Sequence, residues 1–155
     1  KDIMQAERNM QHQAAVRQLI ENTENAFLDI TLTDDNGINQ SLSDLRGKVI
    51  VLDFSAIEME QSSGYIFELR ELYNQYHKRG LAIYSVSLDR NKLLWEDGVT
   101  NLPWTNVYAG DAATDVLTRY NVQSLPTLFL LDRKGNVQGR YTDFKKLDTD
   151  IQKYL

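Results

Sequence analysis

The sequence predicts an α/β fold built on a βαβ unit, with an N-terminal helix and an N-terminal β-hairpin ahead of it. Two observations carry that prediction. Residues 49–54 form a β-branched, apolar run interrupted by a single acid, Asp53, the pattern of a strand covered on both faces. Apolar positions then shift to helical spacing at Ile66, Leu69, Leu72, Tyr73 and Tyr76, until Arg79-Gly80 gives a helix stop and residues 81–88 run apolar again. Strand, helix and strand make a βαβ unit, whose crossover is expected to be right-handed. In such sheets chemistry gathers where a central strand ends and its helix begins, which here is residues 55–63.

The chain has 155 residues, enough for one domain that buries roughly two-thirds of its unfolded surface. Its 42% apolar and 25% charged content is that of an ordinary globular protein. Seventeen basic against twenty-two acidic residues leave a net charge of −5, which argues against a nucleic-acid partner. No run approaches the ~18 apolar residues that a membrane-spanning helix needs. The chain has no cysteine, so thiol content says nothing about compartment. It begins at Lys1 without a signal peptide, and the expectation is a piece of a longer precursor whose export signal lies upstream.

Residues 1–22 are polar and helix-prone, with a thin apolar stripe of Met4, Ala6, Met10, Ala14 and Ala15. They read as a linker or docking helix, or as a helix that packs on an upstream domain or second subunit. Residues 27–33 alternate like a half-buried strand, and Asn36-Gly37 offers the positive φ of a tight hairpin turn. Ser43 is the expected N-cap of a short turn that Gly47 ends. Leu93, Leu94 and Trp95 open a short helix, and Leu102-Pro103-Trp104 approaches the next strand in extended form. Trp95 and Trp104 are expected to pack in the core or at its edge rather than to present a ligand platform. Residues 111–120 read as a helix capped by Asp111 or Thr114. Lys134-Gly135-Asn136 turns the chain into a hairpin whose second strand is 137–141. Leu147, Ile151 and Leu155 then lay the last helix on the sheet.

Three stretches, which stand along the chain in the family's order, resemble the thioredoxin-like superfamily over about residues 26–155. Asp53-Phe54-Ser55-Ala56 resembles the strand end that precedes the family's redox turn, and Met59-Glu60-Gln61-Ser62 occupies its Cys-x-x-Cys positions. Ser41-Leu42-Ser43-Asp44-Leu45-Arg46-Gly47-Lys48 is similar to a segment of peroxiredoxin-like and periplasmic thiol–disulfide proteins. Residues 121–137, with Leu125-Pro126-Thr127, resemble the segment that carries the family's cis-proline. The resemblance implies a thioredoxin-like fold at 26–155, a central mixed β-sheet flanked by helices, behind an extension at 1–25. It also implies a cis Pro126 facing the turn, and Asp53 as the family's buried acid. A periplasmic or otherwise exported location is implied too, with membrane tethering through a segment upstream of Lys1.

Disulfide exchange requires a thiolate, which neither the Met59 thioether nor the Ser62 hydroxyl supplies. The expectation is therefore a domain with no redox activity, and two functional readings compete. One is a binding or scaffold domain. Its groove is formed by the turn residues Ala56, Ile57, Glu58, Met59, Glu60, Gln61 and Ser62, together with Leu125, Pro126 and Thr127. It would hold extended polypeptide, or another domain of the same precursor, through main-chain hydrogen bonds. The other is an enzyme of altered chemistry that uses Asp53, Glu58 and Glu60 as clustered carboxylates. Asp53 is expected to be buried, to titrate high from desolvation, and to be held by hydrogen bonds or a water in a small cavity. Ser62 and Ser63 suit N-caps better than nucleophiles. His12 and His77 fall on helices outside any triad or metal spacing, and no cofactor or metal is expected.

Overall fold

A computed structural model describes residues 28–155. The helix expected within residues 1–25, and Phe27 at the head of the first expected strand, lie outside the described residues. Among the described residues, seven strands form one mixed sheet. They are β1 (Thr31–Asp34), β2 (Asn39–Ser41), β3 (Val49–Ser55), β4 (Leu81–Ser87), β5 (Thr105–Tyr108), β6 (Thr127–Leu131) and β7 (Val137–Tyr141), in spatial order β2-β1-β5-β4-β3-β6-β7. β3, β4 and β5 run parallel, and the β6–β7 and β1–β2 hairpins extend the sheet antiparallel on either side. Flanking helices are α1 (Ser62–Tyr76), α2 (Lys92–Val99), α3 (Ala113–Arg119) and α4 (Phe144–Tyr154). None of them is long and apolar enough to cross a membrane.

β3 is the centre, and its pleat divides the core in two. Val49 and Val51 face α1 and α4, where Tyr65, Leu69, Leu72, Leu147 and Ile151 are buried against them. Ile50, Leu52 and Phe54 face the other way, onto Val116 and Tyr120 around α3. Each fully buried aliphatic or aromatic side chain here contributes about 1.5–3 kcal/mol. By the same alternation Asp53 points toward α1, into an apolar layer. Both tryptophans are buried, and the Trp104 Nε1–H donates to Ser85 Oγ at 3.1 Å.

Several local boundaries differ from those the sequence suggests, each because a longer-range partner takes over. The first strand begins at Thr31, because Asp29 turns aside to accept from the Ile30 N–H and from both the N–H and hydroxyl of Ser43. That occupation removes Ser43 as a cap. The short 3-10 turn Leu42–Leu45 is capped at Ser41, whose N–H donates to the Asp44 carboxylate at 3.1 Å. Neither Asp111 nor Thr114 caps α3. The chain enters α3 through a 3-10 turn, Gly110–Ala112, whose own backbone bonds absorb the first N–H groups.

One exposed side chain ties three chain segments together. The Arg133 guanidinium donates to the carbonyls of Gly47 (3.0 Å), Arg79 (3.1 Å) and Leu155 (3.4 Å). It passes where a Cβ on Gly80 would sit, 2.6 Å from Nη2, and Gly80 has φ +107°. Replacing Arg133 by Ala is expected to cost about 1–2 kcal/mol, since three carbonyls lose a charged donor. Urea unfolding measures it, and a midpoint equal to the parent's would show that water replaces these bonds without loss.

Candidate functional site

After Ser55 the chain leaves β3 through a turn closed by its own backbone, with Met59 N donating to Ala56 O and Ser62 N to Met59 O, both at 3.2 Å. The turn is also pinned from the next strand. Asp89, 3% exposed in the loop after β4, accepts from Ile57 N at 3.0 Å and Glu58 N at 2.8 Å. The Ser87 hydroxyl donates to the same carboxylate at 2.5 Å. In return Glu58 Oε1 accepts from Arg90 N at 2.9 Å. Ile57 lies against Gly98 of α2, where a Cβ would come within 3.0 Å of its side chain. Because the turn runs directly into α1, Gln61 takes the N-cap position without a side-chain bond. Ser62 and Ser63 are therefore inside the first helical turn and do not cap it.

The facing wall is the loop before β6. The Leu125–Pro126 peptide is cis. Arg140 holds the start of this loop, donating to Asn121 O at 2.7 Å and Tyr120 O at 2.9 Å while its guanidinium lies 4.8 Å from the Phe129 ring centre. Thr127 closes its end, with its hydroxyl on Ser124 O at 2.7 Å. Between loop and turn lies an open groove of about 490 Å³. Its floor is Met59, Tyr65, Leu125, Pro126 and Phe144, and Glu60 and Glu68 stand exposed at its rim. No hydrogen bond within the described residues engages the N–H or carbonyl of Leu125.

Of the ten residues the sequence placed in the groove, Met59, Glu60, Gln61, Leu125 and Pro126 line it. Ala56 and Ile57 instead line an interior cavity under α1 and α2. Glu58 is taken up by Arg90 N, Ser62 lies off the lining, and Thr127 is only 4% exposed. The remaining wall comes from Gly64, Tyr65 and Glu68 on α1 and from Thr142 and Phe144 where β7 meets α4. The signal for the α1 residues was present, since positions 64 and 68 stack on one helix face. Phe144 is set in place by Asp143, the N-cap of α4, which accepts from Lys145 N at 2.9 Å.

Asp53 is 1% exposed and fully hydrogen-bonded. The Tyr65 phenol donates to Oδ1 at 2.5 Å and Ser55 Oγ to Oδ2 at 3.0 Å. Beside it is a cavity of about 20 Å³, the size of one water, shared with Ser85, Ser87, Asp89 and Asn106. Desolvation pushes the Asp53 carboxyl up from 3.8 to about 6, against the downward pull of hydrogen bonds from Tyr65, Ser85 and Ser55. Burial and the neighbouring Asp53 push the Tyr65 phenol well above its ordinary value, so it stays a donor. The altered-enzyme arrangement is not formed: Asp53 faces the interior, Glu58 the Arg90 amide and Glu60 the groove. Among the described residues no three His, Asp or Glu side chains are grouped to hold a metal.

Comparison with known proteins places these features. The profile of a family described as thioredoxin-like matches residues 47–137. The chain is 34% identical over 127 residues to the thiol–disulfide oxidoreductase ResA of Geobacillus kaustophilus, covering 82% of this chain and 72% of that protein. It superposes on a thioredoxin-like protein from Bacteroides vulgatus with a TM-score of 0.75 at 38% identity, covering 82% of this chain and 84% of that one. A thiol:disulfide interchange protein from Bacteroides sp. is similar at a TM-score of 0.74 and 27% identity, over 83% and 86% of the two chains.

The raised Asp53 carboxyl predicts the pH dependence of stability. A protonated Asp53 stabilises the fold fully below its unfolded value of 3.8, and that contribution is lost as pH rises through about 6. Relative to Asp53→Asn, the parent is expected to lose up to about 3 kcal/mol between pH 4 and pH 7. Urea unfolding of both proteins across that range measures the difference. Parallel curves would mean that Asp53 titrates as an ordinary carboxyl.

Proposed function

The chain belongs to the thioredoxin-like family, and from that premise we propose that it is a cysteine-less member that performs no disulfide exchange and binds extended polypeptide in the groove between Met59 and Pro126. The observation that carries this is the Leu125 main chain, whose N–H and carbonyl are unpaired among the described residues, beside an apolar floor. An extended segment laid there would satisfy both groups, as a strand added to a sheet edge does, while its side chains reach the floor. Met59, at a redox-cysteine position of the family, supplies a flexible, polarizable contact that adapts to varied side chains. Supporting the non-redox half is chemistry alone, because a thioether and a hydroxyl provide no thiolate to attack a disulfide. The domain, residues 26–155, would then serve as a binding or scaffold domain of a larger exported protein, with residues 1–25 as its extension. Its partner would be an extended polypeptide or another domain of the same precursor.

Three measurements test this. The purified chain should reduce insulin with dithiothreitol no faster than a protein-free blank, and any excess rate would overturn the reading of Met59 and Ser62. Amide shifts on adding a library of extended peptides should cluster at residues 59–65 and 124–127. Gly64, whose Cβ would meet nothing within 4 Å, offers a way to fill the groove without disturbing the fold. Gly64→Leu should keep the fold, since Gly is the weaker helix former, and weaken binding at least about tenfold. Shifts confined to surfaces away from both walls would rule the groove out.

A further inference from the structure

Tyr65 belongs to two sites at once. Its ring is part of the groove floor, packed edge-on against Phe144 with ring centres 5.1 Å apart and planes at 60°. Its hydroxyl reaches through the layer to the buried Asp53 carboxylate. It stands in the first turn of α1, which has no side-chain cap to position it otherwise. The floor of the groove is therefore tied to the sheet through one phenol–carboxylate bond.

We propose that Tyr65 couples the groove to Asp53, so that an extended peptide seated on the floor binds best when Asp53 is ionised and drives a proton off it on binding. This rests on the groove reading above. An ionised Asp53 offers two acceptor oxygens, and the phenol gives one of them a charge-assisted bond, about twice as strong as a neutral one. That bond holds the ring down. A protonated Asp53 carries its own O–H, which competes with the Tyr65 and Ser55 hydroxyls for acceptors, so the ring is held less firmly. A peptide that uses the ring as its floor has the higher affinity for the ionised state. By linkage, its binding favours loss of the Asp53 proton to solvent.

Few other groups near Asp53 compete for this role. β3 supplies Ser55 and β4 supplies Ser85, itself receiving the Trp104 Nε1–H. β5 supplies Asn106, whose amide donates to Trp104 O, and β6 places Leu128 opposite Asp53 in register. The second carboxylate on the cavity, Asp89, is occupied by Ile57 N, Glu58 N and the Ser87 hydroxyl. No cation among the described residues lines the cavity. The burial that lifts the Asp53 carboxyl to about 6 places the switch between pH 5 and 7. Glu60 and Glu68 lie at the groove rim, and replacing Tyr65 leaves them unchanged, which separates their effect from that of Asp53.

The test uses the full chain and an uncharged, blocked peptide of mixed alanine, valine and serine. In the free protein, the Phe144 ring and Gly64 amide signals should titrate with the midpoint of the Asp53 carboxyl, and should stop doing so in Asp53→Asn. Peptide affinity should fall about three- to tenfold from pH 7.5 to pH 5 in the parent and stay level in Tyr65→Phe, which keeps the ring. Flat groove signals while Asp53 titrates would overturn the coupling, as would an unchanged pH dependence of affinity in Tyr65→Phe. Failure of the peptide to bind at any pH would instead count against the groove reading. In that case the free-protein titration still decides the coupling, and Tyr65→Phe serves if Asp53→Asn does not fold.

Discussion

A carboxylate on a buried central strand of a sheet has to be satisfied from inside the protein, and much of this site follows from how Asp53 is satisfied. The pleat of β3 points it at α1 rather than α3, and at 1% exposure bulk water does not hydrate it. A hydroxyl from the helix on that face is the short way to meet the cost. Tyr65 provides it, and to do so it must sit in the first turn of α1 with its ring down between Phe144 and the sheet. The position of the groove floor is thus a by-product of an electrostatic requirement in the core.

The two walls of the groove are held from outside themselves. Asp89, thirty-two residues from Ile57, fixes the β3–α1 turn through two backbone N–H groups, and Gly98 leaves room for Ile57 to lie against α2. Arg140, on β7, fixes the loop before Pro126 by gripping the carbonyls at the end of α3. No disulfide can hold either wall, since the chain has no cysteine. Walls held this way lose little freedom on binding, which favours a preformed surface for extended chain. The support of both walls comes from hydrogen bonds to buried and semi-buried side chains.

Periodicity within the chain determined the main strands and helices of the fold. The buried run of β3, the helical spacing of α1, the return of β4, the 134–136 turn and the amphipathic α4 all stand close to where the pattern puts them, because each depends on residues within one turn or one strand. Half of the groove was equally legible, the half that follows from Met59 and Leu125-Pro126 being at the ends of those elements. What only the tertiary structure decided is partnership. Ser43 goes to Asp29 and not to a helix end, Glu58 goes to Arg90 and not to a cluster with Asp53, and Tyr65, Asp89, Gly98 and Phe144 have roles set by segments far away in sequence. A hydroxyl or carboxylate has many candidate partners of similar strength, and the choice among them is made by which elements pack together. Local spacing carries no record of that choice.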